Sequence, residues 1–414
     1  MLFLNPNRAR GQTAPVASWI SVAGWAAAAT RLWGRSWIVT PEGVLEPDEI
    51  LRMASDPVLL KGPAGPSALR RRIPTTVKTA FKDVRKALEA RRFRHAALTG
   101  PWRSEPVRFV WQRHDLFQDA GAVVARELDR PLVVFVPALI VQEAASWGVR
   151  RPGWKGILER LAETPQLRAA DLVACGSNEV AEQVERLGVP GDRILVTPNG
   201  VDPDVFSPDR PGGEVRDRLG LEGSYVVGWV GSFRSFHGLD MALKAMQKVE
   251  KSIPEATLLL VGDGLERSRI ESMVEDLGLQ NVVMTGTVDY LHIPSHVAAM
   301  DVALITDRGD GAFHYSPLKL REYMAAGKAV IAPRVGEMGR WLSDGEDAVL
   351  VESGDMAGLA DAIEDLHRHP EVRARLGEAA RKKIVEEATW DIQLLRIDQA
   401  LQAETGSGIG QASG

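Results

Sequence analysis

Short apolar runs alternate with longer stretches of helical period along the whole chain. In the first half the runs at residues 2–5, 37–40, 108–112, 132–136, 171–176 and 194–197 read as strands, and 16–33, 74–90, 118–128, 154–164 and 178–187 as helices. A second series begins at Tyr225 and continues with strands at 256–261, 282–284, 302–305, 329–331 and 348–351. Helices at 239–249, 265–277, 318–326 and 356–366 fall between them. Strands that alternate with helices imply parallel sheets covered on both faces. The chain therefore reads as α/β, with two doubly wound, Rossmann-like sheet domains in tandem. The Pro-, Gly- and Asp-rich stretch 198–213 separates them. We place one domain at 1–200 and the other at 201–388, with a C-terminal helix at 389–404 packing back on the first. The tail from 405 to 414 is Gly- and Ser-rich and is expected to be disordered.

Composition narrows the function classes. The 414 residues are 45% hydrophobic and 25% charged, and the net charge is −5. Bulk charge does not suggest a nucleic-acid binder, and no zinc spacing or aromatic surface signal adds to it. The one cysteine, Cys175, sits in an apolar run and reads as core; a reducing cytoplasm suits this usage. No apolar run reaches the roughly 20 residues of a membrane span. The closest, residues 16–33, follows Arg8 and Arg10, so a signal peptide was weighed against a packed helix between two strands; the helix is the preferred reading. Between Lys61 and Arg94, eleven Lys and Arg stand against Asp83 and Glu89. A solvated helix face is the plain explanation, and peripheral contact with an anionic membrane or acceptor is the sharper one.

The densest chemistry lies in Ser316-Pro317-Leu318-Lys319-Leu320-Arg321-Glu322-Tyr323-Met324-Ala325-Ala326-Gly327. Pro317 suits a first helical turn, Ser316 can cap it, and Gly327 can end it. Lys319 and Glu322, three apart, share one helix face. A cation and a carboxylate near a helix start suit a ligand with both phosphate and sugar hydroxyls, namely a nucleotide sugar. Upstream, Gly231-Ser232-Phe233-Arg234-Ser235-Phe236-His237-Gly238 joins a strand to a helix. There Gly231 allows close backbone approach and Arg234 offers a forked cation.

These blocks, in this order, resemble the donor half of family 4 retaining glycosyltransferases with the GT-B fold. Leu195 to Asp202 with Phe206-Ser207-Pro208, and Leu260-Val261-Gly262-Asp263-Gly264, add to the likeness. The first half resembles the acceptor domain more loosely, through Gln112 to Phe117 and Ala169-Ala170-Asp171. The resemblance implies two domains facing a cleft and transfer of a hexose from a nucleoside diphosphate to a hydroxyl acceptor, with retention. It also implies that Glu322 holds the ribose hydroxyls, that Lys319 and Arg234 meet phosphate, and that Gly231, Ser232, His237, Gly264, His314, Ser316 and Leu318 line the donor site. Tyr290 would lie near the base. Ser232 and His237 stand where the family usually has Arg and Lys, and His314 stands where it often has Glu. The positive charge must then come from Arg234 and Lys319, or from a His237 that is protonated when the diphosphate is bound. In the first half Gly11 falls in the family's Gly-rich loop, His114 follows a strand as a candidate catalytic group or a core histidine, and Glu143 is a candidate acceptor contact. One of Trp19, Trp25, Trp33 and Trp37 could stack on sugar, core packing explaining the rest. No Asp-x-Asp is placed as a metal clamp, so no essential metal ion is expected and no cofactor beyond the donor substrate. A nucleotide-sugar epimerase or hydrolase, or a non-catalytic sugar-nucleotide binder, would share this architecture. No pair of carboxylates is placed for glycoside hydrolysis.

Overall fold

In a computed structural model of the chain, residues 1–7, 16–54, 74–146, 148–309 and 317–409 are described. They form two compact units, Met1–Asn199 together with the segment from Trp390, and Gly200 to Thr389.

The first unit holds seven strands among its described residues: β1 (Leu2–Leu4), β2 (Trp37–Thr40), β3 (Gly43–Leu45), β4 (Val110–Arg113), β5 (Leu132–Val136), β6 (Leu172–Cys175) and β7 (Ile194–Val196), in the order β3-β2-β1-β4-β5-β6-β7. Leu2 pairs with Trp37 on one side and Val110 on the other. All neighbours are parallel except β2 and β3, which are antiparallel. This corrects the expectation of a purely parallel sheet. Only two residues separate β2 from β3, and so short a link can join strands only as a hairpin. The Thr40 hydroxyl donates to the Gly43 carbonyl at 3.0 Å and closes it.

The aromatic core explains most of the tryptophans. Trp111 stacks on Phe135 at 5.3 Å, and Trp25 meets Phe135 at 5.6 Å and Trp390 at 5.3 Å. Trp19 and Trp37 are also buried. The helix Val16–Trp33 is thus a packed element between β1 and β2, and among the described residues no helix is long and apolar enough to cross a membrane. The last helix, Trp390–Ile409, belongs to this unit. Its Trp390 ring fills the space a side chain at Gly24 would take, and Arg31 pairs with Asp391 at 2.6 Å. The helix runs past the expected end at 404, because adding residues to a formed helix costs little; residues 410–414 lie outside the described ones. Cys175 is fully buried, and burial pushes its thiol up to about 12.

Two helices depart from the expected bounds. Thr75–Ala97 extends seven residues past 90, because Phe93 and Ala97 continue its buried face. The stretch expected as one helix at 154–164 is a short helix, Lys155–Leu158, a π turn at Glu159–Glu163 and a further helix, Thr164–Ala169. Pro165 has no N–H to donate, and just before it the Thr164 N–H and hydroxyl both bond the Glu159 carbonyl, the hydroxyl at 2.7 Å.

The second unit is a six-stranded parallel sheet among its described residues: β8 (Tyr225–Val230), β9 (Ala256–Val261), β10 (Val282–Gly286), β11 (Val302–Leu304), β12 (Ala329–Pro333) and β13 (Val349–Val351), ordered β10-β9-β8-β11-β12-β13. Every residue of β8 and β9 is buried, as continuous apolar runs in a twice-covered sheet require. The order reverses between β8 and β11, and ligands of such sheets bind beyond the strand ends at that point.

Trp390→Ala empties a large aromatic site on Trp25. We expect the first unit to lose about 3–5 kcal/mol, read by denaturant unfolding followed through its tryptophans. A loss below about 1 kcal/mol would mean that the last helix is not anchored there.

Candidate functional site

The site is built where β8 and β11 diverge. β8 ends at Val230, and Gly231 follows it with a φ of +149°. A Cβ at Gly231 would fall 2.8 Å from the Lys319 Nζ, so the glycine makes room for the ammonium. A Cβ at Gly262 would lie 1.9 Å from the Gly231 carbonyl oxygen, and one at Gly264 would lie 2.5 Å from that of Phe233. The Phe233 N–H donates to the Asp263 carbonyl at 2.9 Å. The loops after β8 and β9 are therefore pressed backbone to backbone. A 3₁₀ turn, Ser235–His237, then leads to Gly238, at φ +63°, and to the helix Leu239–Ser252. From the far side of the reversal, Arg308 bonds Asp240 at 2.8 Å and the Thr306 hydroxyl donates to the His237 carbonyl.

The helix Leu318–Ala325 is fixed in rotation by its buried residues. The Tyr323 hydroxyl accepts from the Val230 N–H at 2.7 Å, tying the helix to the end of β8. On another face Arg321 pairs with the buried Glu337 and lies 4.9 Å from the Trp341 ring centre. Pro317 stands at the N-cap and supplies no capping side chain; the expected cap, Ser316, lies outside the described residues, as does His314. Gly327, at φ +66°, ends the helix, and Lys328 N–H reaches back to the Tyr323 carbonyl at 3.0 Å.

This rotation leaves Lys319 and Glu322 on the site. The Lys319 Nζ sits 3.7 Å from the centre of the Trp229 ring, a cation–π contact. Glu322 is only 5% exposed, and its Oε1 accepts from the Tyr290 hydroxyl at 3.1 Å. The Tyr290 ring is tilted against Phe206 at 6.1 Å while its hydroxyl serves Glu322. Burial pushes the Glu322 carboxyl up to about 7, opposed by the Tyr290 hydrogen bond and by Lys319. Burial also pushes Lys319 down to about 7, opposed by Glu322. His237 is driven to about 2 by burial, then by Lys319 and Arg234. A protonated His237 is therefore not the source of positive charge in the free protein. Ser232 and Arg234 are exposed on the loop, and Leu318 opens the helix half-buried.

The structure brings Gly231, Arg234, His237, Gly264, Tyr290, Lys319 and Glu322 into one part of the second unit. Two further contributors escaped the sequence reading. Trp229 and Tyr323 looked like ordinary core residues of a strand and a helix; the spacing of Tyr323 four positions after Lys319, one turn along, was the available signal. Among the described residues, no group of three His, Cys, Asp or Glu side chains is placed to hold a metal ion.

His114 belongs to the first unit, at the end of β4. Its Nε2 lies 3.0 Å from Glu163 Oε1, and both side chains are buried, at 2% and 1% exposure. The same Glu163 oxygen accepts from the Ile140 N–H at 2.5 Å. Glu143 acts on Arg113, which burial pushes down to about 10 against the pull of Asp115 and Glu143. Gly11 lies outside the described residues. Asn5, buried at the end of β1, accepts from the Asn7 N–H at 3.3 Å.

A family model described as Glycosyl transferases group 1 matches residues 224–369, and one described as Glycosyltransferase Family 4 matches residues 36–205. The chain belongs to family 4 of the glycosyltransferases. This family member is 27% identical over 237 residues to the GDP-mannose-dependent alpha-(1-6)-phosphatidylinositol monomannoside mannosyltransferase of Mycolicibacterium smegmatis, over 56% of this chain and 62% of that one. It is 30% identical over 221 residues to the D-inositol 3-phosphate glycosyltransferase of Paenarthrobacter aurescens, over 51% of this chain and 52% of that one. The chain thus spans between half and two thirds of the length of these relatives. Among solved structures, Anabaena HepE in complex with UDP superposes with a TM-score of 0.62 at 19% identity, covering 98% of this chain and 99% of that one. Sucrose-phosphate synthase from Thermosynechococcus elongatus gives 0.65 at 19% identity, with the same coverage. The fold is GT-B.

The Lys319–Glu322 pair makes stability depend on pH. A carboxyl raised on folding favours the folded state at low pH and loses that contribution as pH rises from about 4.3 through its folded value. An ammonium lowered on folding favours the folded state at high pH and loses that contribution as pH falls from about 10.4 through its folded value. The pair therefore contributes least near pH 7. Replacing both, with Glu322→Gln and Lys319→Met, should raise the melting temperature there by about 2–4 °C for each kcal/mol recovered. The pH profile should also flatten. Calorimetry showing the double variant less stable at neutral pH would exclude this account.

Proposed function

We propose that this protein transfers a hexose from a nucleoside-diphosphate sugar to a hydroxyl acceptor, with retention of anomeric configuration. The observation that carries the reading is Glu322, withheld from water and held by Tyr290 at the strand-order reversal. A carboxylate so placed has a second oxygen to offer a vicinal diol, and two acceptor oxygens meet two ribose hydroxyls. Lys319, over Trp229 and against Gly231, supplies charge where a diphosphate would approach the glycine backbone. Arg234 adds a cation from the loop, and burial beside Lys319 and Arg234 keeps His237 neutral in the free protein. Family membership supports the same class of reaction. The M. smegmatis relative is named for GDP-mannose and the Anabaena neighbour holds UDP, so the base is left open.

In the reaction we propose, the bond from the anomeric carbon to the diphosphate oxygen breaks as the acceptor oxygen bonds the same carbon on the same face. The acceptor proton passes to the departing diphosphate oxygen. Lys319 and Arg234 take up the negative charge gathering on that group, so the charge stabilisation comes from side chains and not from a metal ion. A cytoplasmic setting suits a chain whose one cysteine is buried and unpaired.

Glu322→Ala should weaken binding of the productive nucleoside diphosphate by about tenfold or more, the worth of hydrogen bonds to a charged group. Titration calorimetry against UDP, GDP, ADP and TDP measures it, with a thermal melt to show that the variant folds. The anomeric coupling of the product, read by NMR, should match that of the donor. Unchanged nucleotide affinity, or an inverted product, would overturn the reading.

A further inference from the structure

The helix Thr75–Ala97 carries apolar side chains on two faces. Thr79, Asp83, Ala90, Phe93 and Ala97 are buried against the first unit. Val77, Phe81, Val84 and Leu88 are exposed, at 55%, 71%, 61% and 55%. At 3.6 residues per turn these four fall within an arc of about 60°, roughly opposite the buried face. They are therefore not a ragged edge of the core. Lys78, Arg85 and Arg92 run along one side of the stripe, and Arg91 lies on the other. On another segment Leu161 is exposed and shares a groove with Ala87, Ala90 and Arg91 of this helix.

Of the two helix acids only Glu89 meets this charge, beside Arg85. Asp83 is turned inward, where Arg151 bonds it at 3.0 Å and Trp154 at 3.1 Å. Glu89 is half-buried and lies 3.6 Å from Arg85. What faces water is an apolar ridge between cationic borders, on a convex helix tied down from behind. A second copy of the chain is a poor occupant, because a two-fold contact would set cationic borders against each other. A layer with negative headgroups over an apolar interior matches both parts.

We propose that this helix docks the protein on an anionic lipid bilayer, with Phe81 and Val84 inserted among the headgroups and Lys78, Arg85, Arg91 and Arg92 paired with lipid phosphates. The helix belongs to the first unit and Glu322 to the second, so the proposal stands or falls independently of the reading above.

Co-sedimentation of the full chain with vesicles of equal phosphatidylglycerol and phosphatidylcholine, set against phosphatidylcholine alone, tests it. We expect partition into the anionic vesicles that weakens as salt rises. Phe81→Ser with Val84→Ser should reduce it to the level of neutral vesicles with the melting temperature unchanged, since both side chains are exposed. Arg85→Gln with Arg92→Gln should reduce it by about fivefold for each cation removed. Absence of binding, equal binding to both vesicle types, or an unaffected Phe81→Ser, Val84→Ser variant would overturn the proposal. Self-association in solution that this variant abolishes, without vesicle binding, would assign the stripe to a second copy instead.

Discussion

A carboxyl held out of water and a half-buried ammonium beside it set the character of the second unit. Lys319 and Glu322 cannot be buried cheaply, and each makes the other less costly. They stay in place because the helix that bears them cannot rotate. Tyr323 holds it to Val230, Arg321 holds it to Glu337, and Leu320 and Met324 fill the core behind it. Trp229 and Tyr290 then give each charge one specific neighbour. Removing charges from bulk solvent costs folding free energy in the empty protein. That cost is the usual mark of a group kept ready for a partner of opposite or hydrogen-bonding character.

Much of the fold could be read from the chain because parallel strands buried on both faces write themselves as unbroken apolar runs. β8 and β9 are such runs, and so is β5. What escaped was short or set by tertiary contacts. β3 has three residues and exists because a two-residue link folds it onto β2. The π turn before Thr164 closes on the Glu159 carbonyl, which the Thr164 N–H and hydroxyl both bond beside a proline that donates nothing. The length of the helix Thr75–Ala97 depends on where Phe93 and Ala97 are buried, which periodicity alone does not reveal.

The site divides in the same way. Glu322, Lys319, Gly231 and Arg234 were legible because residue type, spacing and position after a strand all agreed. Their partners were not. Trp229 and Tyr323 carry no polar signature distinct from packing. The role of Tyr290 as a hydrogen-bond donor to Glu322 appears only once residues 32 positions apart are brought together. His237 shows how local context overrides residue type. Its imidazole is potentially cationic, but two nearby cations and burial keep it neutral. In the first unit His114 and Glu163, 49 residues apart, form a buried pair that no local pattern announces.

The contact between the loops after β8 and β9 divides the phosphate loop into positions with unequal freedom. A Cβ at Gly262 would strike the Gly231 carbonyl, so position 262 takes no side chain without moving the main chain, and a Cβ at Gly231 would meet the Lys319 ammonium and the Trp229 ring. Ser232 and Arg234, a few ångströms further along the same loop, face solvent. Sequence drift can therefore exchange one side chain for another at 232 and 234, retuning the loop's charge, while its path stays fixed. Ser232, where the resemblance implies an arginine, is the kind of replacement such a frame absorbs.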